Sequence, residues 1–365
     1  MKKSFLFVMA VAATLMTSCS SDEESTNVVD SNAPVEIKLS SVASMSRASI
    51  ESNEKGAFTA NGVSIFALAS QLQAGGAVTS WAADDEYACI LNNKTFNAVP
   101  NADKTGSDLF PVGTTYYYPL SDLYTYRFYG AYPAVDAANL TATATQYAAK
   151  YTIDGTQDII WGQSDNDVYC GKYYKTNPTA VAPNIAFKHL LTRLTFSCEP
   201  SADYAVRLKN DPSVALYVKS ISVNNVPTVG NLIIADNANA SNAGKIEFDA
   251  ATTENLFLKA ANDAALSPVA LAVKSDGTAD KVKVGSSIML PSDKQFAITI
   301  VLANKNGEEL VKSSKVIALS DATAYFLPGK SYNVNLQVKS ANDIVITITA
   351  TLDPWENGED INVEI

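Results

Sequence analysis

Histidine, cysteine, paired carboxylates and arginine are the residues of this 365-residue chain whose types could do chemistry, and each is scarce or isolated. A catalytic histidine needs a nucleophile within reach and a third group to orient it. His189, the single histidine, stands in an apolar segment with Phe187, Leu190 and Leu191, which reads as a structural imidazole. Asp84-Asp85, Asp165/Asp167 and Glu308-Glu309 fall in turn-like sequence and read as solvated loops. Asp165-Asn166-Asp167 lacks the remaining ligands of a calcium loop. There is no glycine-rich phosphate loop, nucleophile elbow or zinc-ligand spacing. The expectation is a chain without enzymatic activity, cofactor or metal.

Arg47 invites a different chemistry, hydrolysis of its own peptide bond. The chain has four arginines, Arg47, Arg127, Arg193 and Arg207, and only the first precedes residue 127. It sits among the small polar residues Ser44 to Ser49, where a trypsin-like protease would cut and leave Ala48 as a new N-terminus. The bland reading is a solvated surface charge. Upstream, Met1-Lys2-Lys3 and the apolar run Phe5 to Met16 form a secretory signal, too short to span a bilayer. Leu15-Met16-Thr17-Ser18-Cys19 resembles a bacterial lipobox, with Met16 where leucine is usual. That resemblance implies removal of residues 1–18 and acylation of Cys19, whose lipid would hold the precursor on a membrane. An ordinary signal peptide with an incidental cysteine is the alternative. Ser20-Ser21-Asp22-Glu23-Glu24 looks like the acidic export tag of surface lipoproteins in some Gram-negative anaerobes, and the chain stays polar to about Asn32, as a tether would. The other cysteines, Cys89, Cys170 and Cys198, read as small core residues, with at most one disulfide among them.

The elements that must position these groups are strands. Hydrophobic residues make up 47% of the chain and charged residues 18%, enough for extensive cores, and the net charge of −11 argues against nucleic acid and anionic membrane surfaces as partners. Val35, Ile37 and Leu39 alternate with Glu36 and Lys38 in a short first strand. At the other end, residues 343–365 alternate Ile344, Ile346, Ile348, Ala350 and Leu352 with threonines, break at Asp353-Pro354, and resume with Ile361, Val363 and Ile365. Such a tail is either the closing strand of a sandwich or a strand meant for another molecule. Between the ends, Val63 to Ala69, Tyr116 to Tyr118 and Tyr124 to Tyr132 read as strands, and Trp81 to Thr115 as loop-rich. The tyrosines suit a core and its rim better than a sugar platform. A boundary is expected near residue 200, between Glu199-Pro200-Ser201 and Asn210-Asp211-Pro212. Short strands then run from Leu216 to Lys339, with a hairpin turn at Asn304-Lys305-Asn306-Gly307.

The lipobox, the first strand, Ser46-Arg47-Ala48, Tyr118-Pro119-Leu120, Tyr126 to Pro133, Gln157-Asp158-Ile159, Phe187 to Phe196 and Trp355-x-x-Gly358, in that order, resemble the fimbrillins, subunits of type V pili. The resemblance implies an all-β fold of two tandem transthyretin-like β-sandwich domains, here 48–200 and 201–365, behind a lipidated propeptide 19–47. It further implies a palmitoylated outer-membrane precursor, cleavage after Arg47 by an arginine-specific protease, and loss of Val35, Ile37 and Leu39 with the lipid. A neighbour's C-terminal donor strand would fill the vacated groove in a self-polymer on the cell surface that supports adhesion. A monomeric glycan-binding lipoprotein, or an anchor or tip subunit, is the alternative expectation.

Overall fold

Strand propensity and two-residue periodicity dominate the computed structural model, which describes residues 34–43, 56–82, 85–165, 182–260, 263–319, 321, 323–339, 347–353 and 363–364. In chain order the strands are β1 (Leu39–Ala43), β2 (Ala60–Leu72), β3 (Cys89–Pro100), β4 (Ser107–Pro111), β5 (Tyr124–Tyr132), β6 (Leu140–Ala142), β7 (Gln146–Thr152), β8 (Ile160–Ser164), β9 (Asn184–His189) and β10 (Thr192–Pro200). The helix α1 (Ala202–Asn210) follows. Then come β11 (Tyr217–Pro227), β12 (Val229–Asp236), β13 (Ile246–Phe248), β14 (Thr253–Phe257), β15 (Val269–Ala270), β16 (Ala272–Val273), β17 (Ala279–Asp280), β18 (Val282–Leu290), β19 (Gln295–Ala303), β20 (Glu309–Ala318), β21 (Ser331–Val338), β22 (Thr347–Asp353) and β23 (Val363–Glu364). The protein is all-β apart from α1 and single helical turns among the described residues.

Seven strands close into a barrel in the order β1-β4-β3-β2-β5-β8-β9. Strand β2 is buried without interruption from Val63 to Ala69, because both of its faces are covered. One cover is the sheet β13-β12-β7-β6. Its Tyr147 on β7 stacks edge-on against Phe66 and against Trp81, ring centroids 5.8 Å apart in each pair. The later strands form the sheets β18-β10-β21-β22-β23 and β14-β11-β19-β20. Between them Phe326 meets Phe296 at 5.0 Å and Tyr332 at 4.8 Å.

Several details depart from the sequence reading. The segment Trp81 to Thr115 carries two strands, β3 and β4, where loops were expected. Its Asn92-Asn93 lies inside β3 because Asn93 takes a left-handed φ of 49°, and the β2–β3 register slips there as a bulge. Tyr116 to Tyr118 contributes one isolated bridge, Glu36 to Tyr117, instead of a strand. The residues read as bracketing a boundary near 200 are helix caps: Ser201 accepts a hydrogen bond from the Tyr204 amide, and Asp211 ends the helix before Pro212. By pairing, β10 goes with β18 and β21 beyond that point, and β7 pairs with β12 across it. Tyr118, Tyr124, Tyr126, Tyr129 and Tyr147 are core residues, while Tyr117 is exposed.

Candidate strand-exchange site

The first strand is the stave that closes the barrel. Ile37 and Leu39 are each 3% exposed and Val35 packs partly buried against the same core, whereas Glu36 and Lys38 face water. Backbone bonds hold this segment on one side to the 116–118 stretch: the Ile37 amide donates to the Tyr116 carbonyl and the Tyr118 amide to the Val35 carbonyl, both at 2.9 Å. The ladder proper begins at Leu39 and runs four residues past the end read from the sequence. There β1 pairs antiparallel with β4, Leu39 to Leu109 through Ser41 to Ser107. On its other edge it pairs parallel with β9, Ser40 to Asn184 through Ala43 to Phe187.

Sequence reasoning missed Ser41. It continues the inward period of Val35, Ile37 and Leu39, but a small polar residue reads as loop. Ser41 is fully buried, and its hydroxyl donates to the Ser107 carbonyl at 3.2 Å. The Ser107 hydroxyl in turn donates to the Phe58 carbonyl at 2.6 Å and accepts the Phe58 amide at 2.8 Å. Residues on both sides of the Arg47 position thus meet at one buried serine pair. The approach is close at Gly106, where a Cβ would stand 2.7 Å from the Ser41 carbonyl oxygen and 3.2 Å from Val42 Cγ1. Only glycine leaves room for the first strand at that point.

His189 ends β9, the parallel wall of this slot. Its Nδ1 lies 2.7 Å from Asp158 Oδ2, and the two side chains are 2% and 0% exposed. The imidazole therefore ties the loop before β8 to the end of β9. Cys89 and Cys198 are free thiols. Burial pushes Cys198 up to about 12, with the Glu199 carboxylate adding to it. Burial also raises Cys89, opposed by the Tyr147 hydroxyl and Lys94. Neither thiol is prepared for nucleophilic work.

The tail is engaged on its own chain. Strand β22 pairs antiparallel with β21 from Gln337–Thr347 to Ser331–Asp353, which sets Ile348 opposite Leu336 and Leu352 opposite Tyr332. Strand β23 adds outside it, Val363 opposite Ala350. Cys19, Arg47, Ala48, Cys170, Ile344, Ile346, Trp355, Ile361 and Ile365 lie outside the described residues. Physically, the arrangement joins two edges through one removable strand. Taking out residues 34–43 would expose a row of unpaired backbone groups on β4 and another on β9, flanking an apolar slot.

The family profile described as fimbrillin-like matches residues 46–355. Among solved structures, a candidate cell-adhesion protein from Bacteroides uniformis is similar at 16% identity, covering 88% of this chain and 98% of that one, with a TM-score of 0.48. The fimbrial anchor protein Mfa2 from Porphyromonas gingivalis is similar at 12% identity over 90% and 99% of the two chains, TM-score 0.36. A fimbrial assembly protein from Parabacteroides distasonis is similar at 9% identity over 91% and 99%, TM-score 0.42. No curated protein matches the sequence. With more than half of its length matched by that profile, the chain belongs to the fimbrillin-like family.

Proposed function

We propose that this chain is the structural subunit of a cell-surface pilus. It is exported as a lipoprotein acylated at Cys19, cut between Arg47 and Ala48, and polymerised head to tail by donor-strand insertion. In this reading the chain carries two tandem transthyretin-like sandwich domains, 48–200 and 201–365, and its partners are an arginine-specific protease and further pilus subunits. The carrying observation is the position of β1: it lies N-terminal to Arg47 and is the one strand bridging β4 and β9 in the barrel. Cleavage leaves that strand attached only through noncovalent contacts. A neighbour's tail carries seven aliphatic side chains, Ile344, Ile346, Ile348, Leu352, Ile361, Val363 and Ile365, from which the slot can be refilled. At ~1.5–3 kcal/mol each, the three or four that a strand of this length can insert give a gross burial on the order of 5–12 kcal/mol before ordering costs. A head-to-tail contact of this kind is heterologous and extends into an open filament unless its rotation closes a ring.

One observation favours a second reading. The pairing of β22 with its own β21 suits an anchor or tip subunit whose tail stays at home. Treating the purified precursor with a trypsin-like protease separates the two. A new N-terminus at Ala48 with a ladder of oligomers on an unboiled denaturing gel supports the shaft subunit, and Arg47→Ala should abolish both. A chain cut at Arg47 that stays monomeric at high concentration would favour the anchor or tip role.

A further inference from the structure

The slot vacated by β1 is not uniform along its length, and its irregularity selects a register. Three positions facing the core want large aliphatic side chains, Val35, Ile37 and Leu39, while the next, Ser41, is fully buried and small. Among the five alternating residues of the tail from Ile344 to Leu352, one is small, Ala350. We infer that a neighbour's tail enters this slot in one register, with Ile348, Ala350 and Leu352 replacing Leu39, Ser41 and Ala43. This assignment rests on the strand-insertion reading above.

Three further tail positions, Thr347, Thr349 and Thr351, match the residues they replace. Thr349 falls where Ser40 holds its hydroxyl 3.4 Å from the Pro183 carbonyl and from Asn184 Oδ1, so the hydroxyl is kept. Thr351 takes the place of Val42, the β-branched side chain that passes Gly106, and has the same shape. Polar Thr347 replaces Lys38, which faces water. Asp353 and Pro354 fall just past Ala43, where β1 ends, so the proline interrupts no ladder bond.

Other registers fail on named atoms. Sliding the donor by two residues in either direction puts Ile348 or Leu352 into the closed space of Ser41. Reversing the strand with Ala350 still at Ser41 puts Pro354 where Ile37 donates its amide to Tyr116, and proline has no amide hydrogen. The run Ile361, Val363, Ile365 has the spacing to cover Val35, Ile37 and Leu39, but all three are bulky and none matches the small Ser41. Ala350 therefore acts as the register-setting residue of the donor.

Cross-linking reads the register directly. Ser40 pairs with Asp108, so the donor's Thr349 should face Asp108 of the receiving subunit. On its own chain Thr349 faces Asn335 instead. A full-length chain carrying Thr349→Cys and Asp108→Cys is cut at Arg47, allowed to assemble and oxidised, and disulfide-linked peptides are identified by mass. The expected result is an intersubunit link between positions 349 and 108 in most junctions. Companion variants with Thr347→Cys or Thr351→Cys should link at least tenfold less. Ala350→Leu should lower the yield of the unboiled ladder at least tenfold, whereas Ala350→Ser should retain it. Preferential linking through position 347 or 351, or normal fibres from Ala350→Leu, overturns the register and leaves strand insertion standing. Abundant fibres with no link from any of the three tail positions overturn it too, and point to the 361–365 run as donor. Failure of the cut wild-type chain to assemble overturns both readings.

Discussion

His189 shows how a residue chosen for its chemistry turns out to be held for its geometry. Its bond to Asp158 is buried at both ends and fixes the end of β9. Removing the imidazole leaves the Asp158 carboxyl group buried without that hydrogen bond, which costs about 1–3 kcal/mol. His189→Ala should therefore lower the urea midpoint substantially without changing the slope of the transition, a measurement that circular dichroism can make. Cys198 is the quieter case. Its thiol is raised to about 12 from 9.0, chiefly by burial, so the folded state favours the neutral form. The stability this contributes is complete below the unfolded value near 9 and is lost as pH rises through the folded one. At pH 8 the native chain should leave Cys198 unalkylated by iodoacetamide until denaturant is added, as peptide mass analysis would show. Labelling of Cys198 in the native state would contradict its burial.

Among the elements, β1 carries most of the consequence for the fewest residues. Ile37 and Leu39 each fill a closed part of the barrel, and truncation to alanine costs ~2–5 kcal/mol at such sites. In the uncut precursor, Ile37→Ala or Leu39→Ala should lower thermal stability, which calorimetry would register. In the cut chain either substitution should speed release of the strand and hence assembly, followed as ladder growth over time. Slower assembly from a looser strand would argue that departure of β1 is not the controlling step. Much of this element was legible in the sequence, because Val35, Ile37 and Leu39 show a plain period of two. What the sequence hid was its partners. The edges that receive it, β4 and β9, lie about 70 and 145 residues downstream, and no local pattern announces pairing at such separation. Ser41 was hidden for a related reason, since its value comes from the Ser107 and Phe58 groups it meets in space. The helix α1 was obscured by its own caps: Ser201, Asp211 and Pro212 mark helix ends as readily as they mark a linker.

At the scale of the molecule, charge and burial pull assembly in opposite directions. The chain carries 38 acidic against 27 basic residues, and residues 1–47 contain four basic and five acidic ones, so cleavage leaves a strongly negative subunit. Two such subunits repel as they approach, and this repulsion is screened over ~10 Å at 0.1 M salt and over ~3 Å at 1 M. The junction itself would be made of backbone hydrogen bonds and aliphatic side chains, which salt does not weaken. Encounter should therefore be salt-sensitive and the finished contact should not. Light scattering of the cut chain should show assembly several-fold faster in 0.5 M than in 0.02 M sodium chloride. Diluting preformed fibres into either salt should leave their length unchanged, with dissociation requiring denaturant or heat. Fibres that fall apart as salt is raised would mean that ion pairs hold the subunits together, and the inserted strand would lose its place as the source of cohesion.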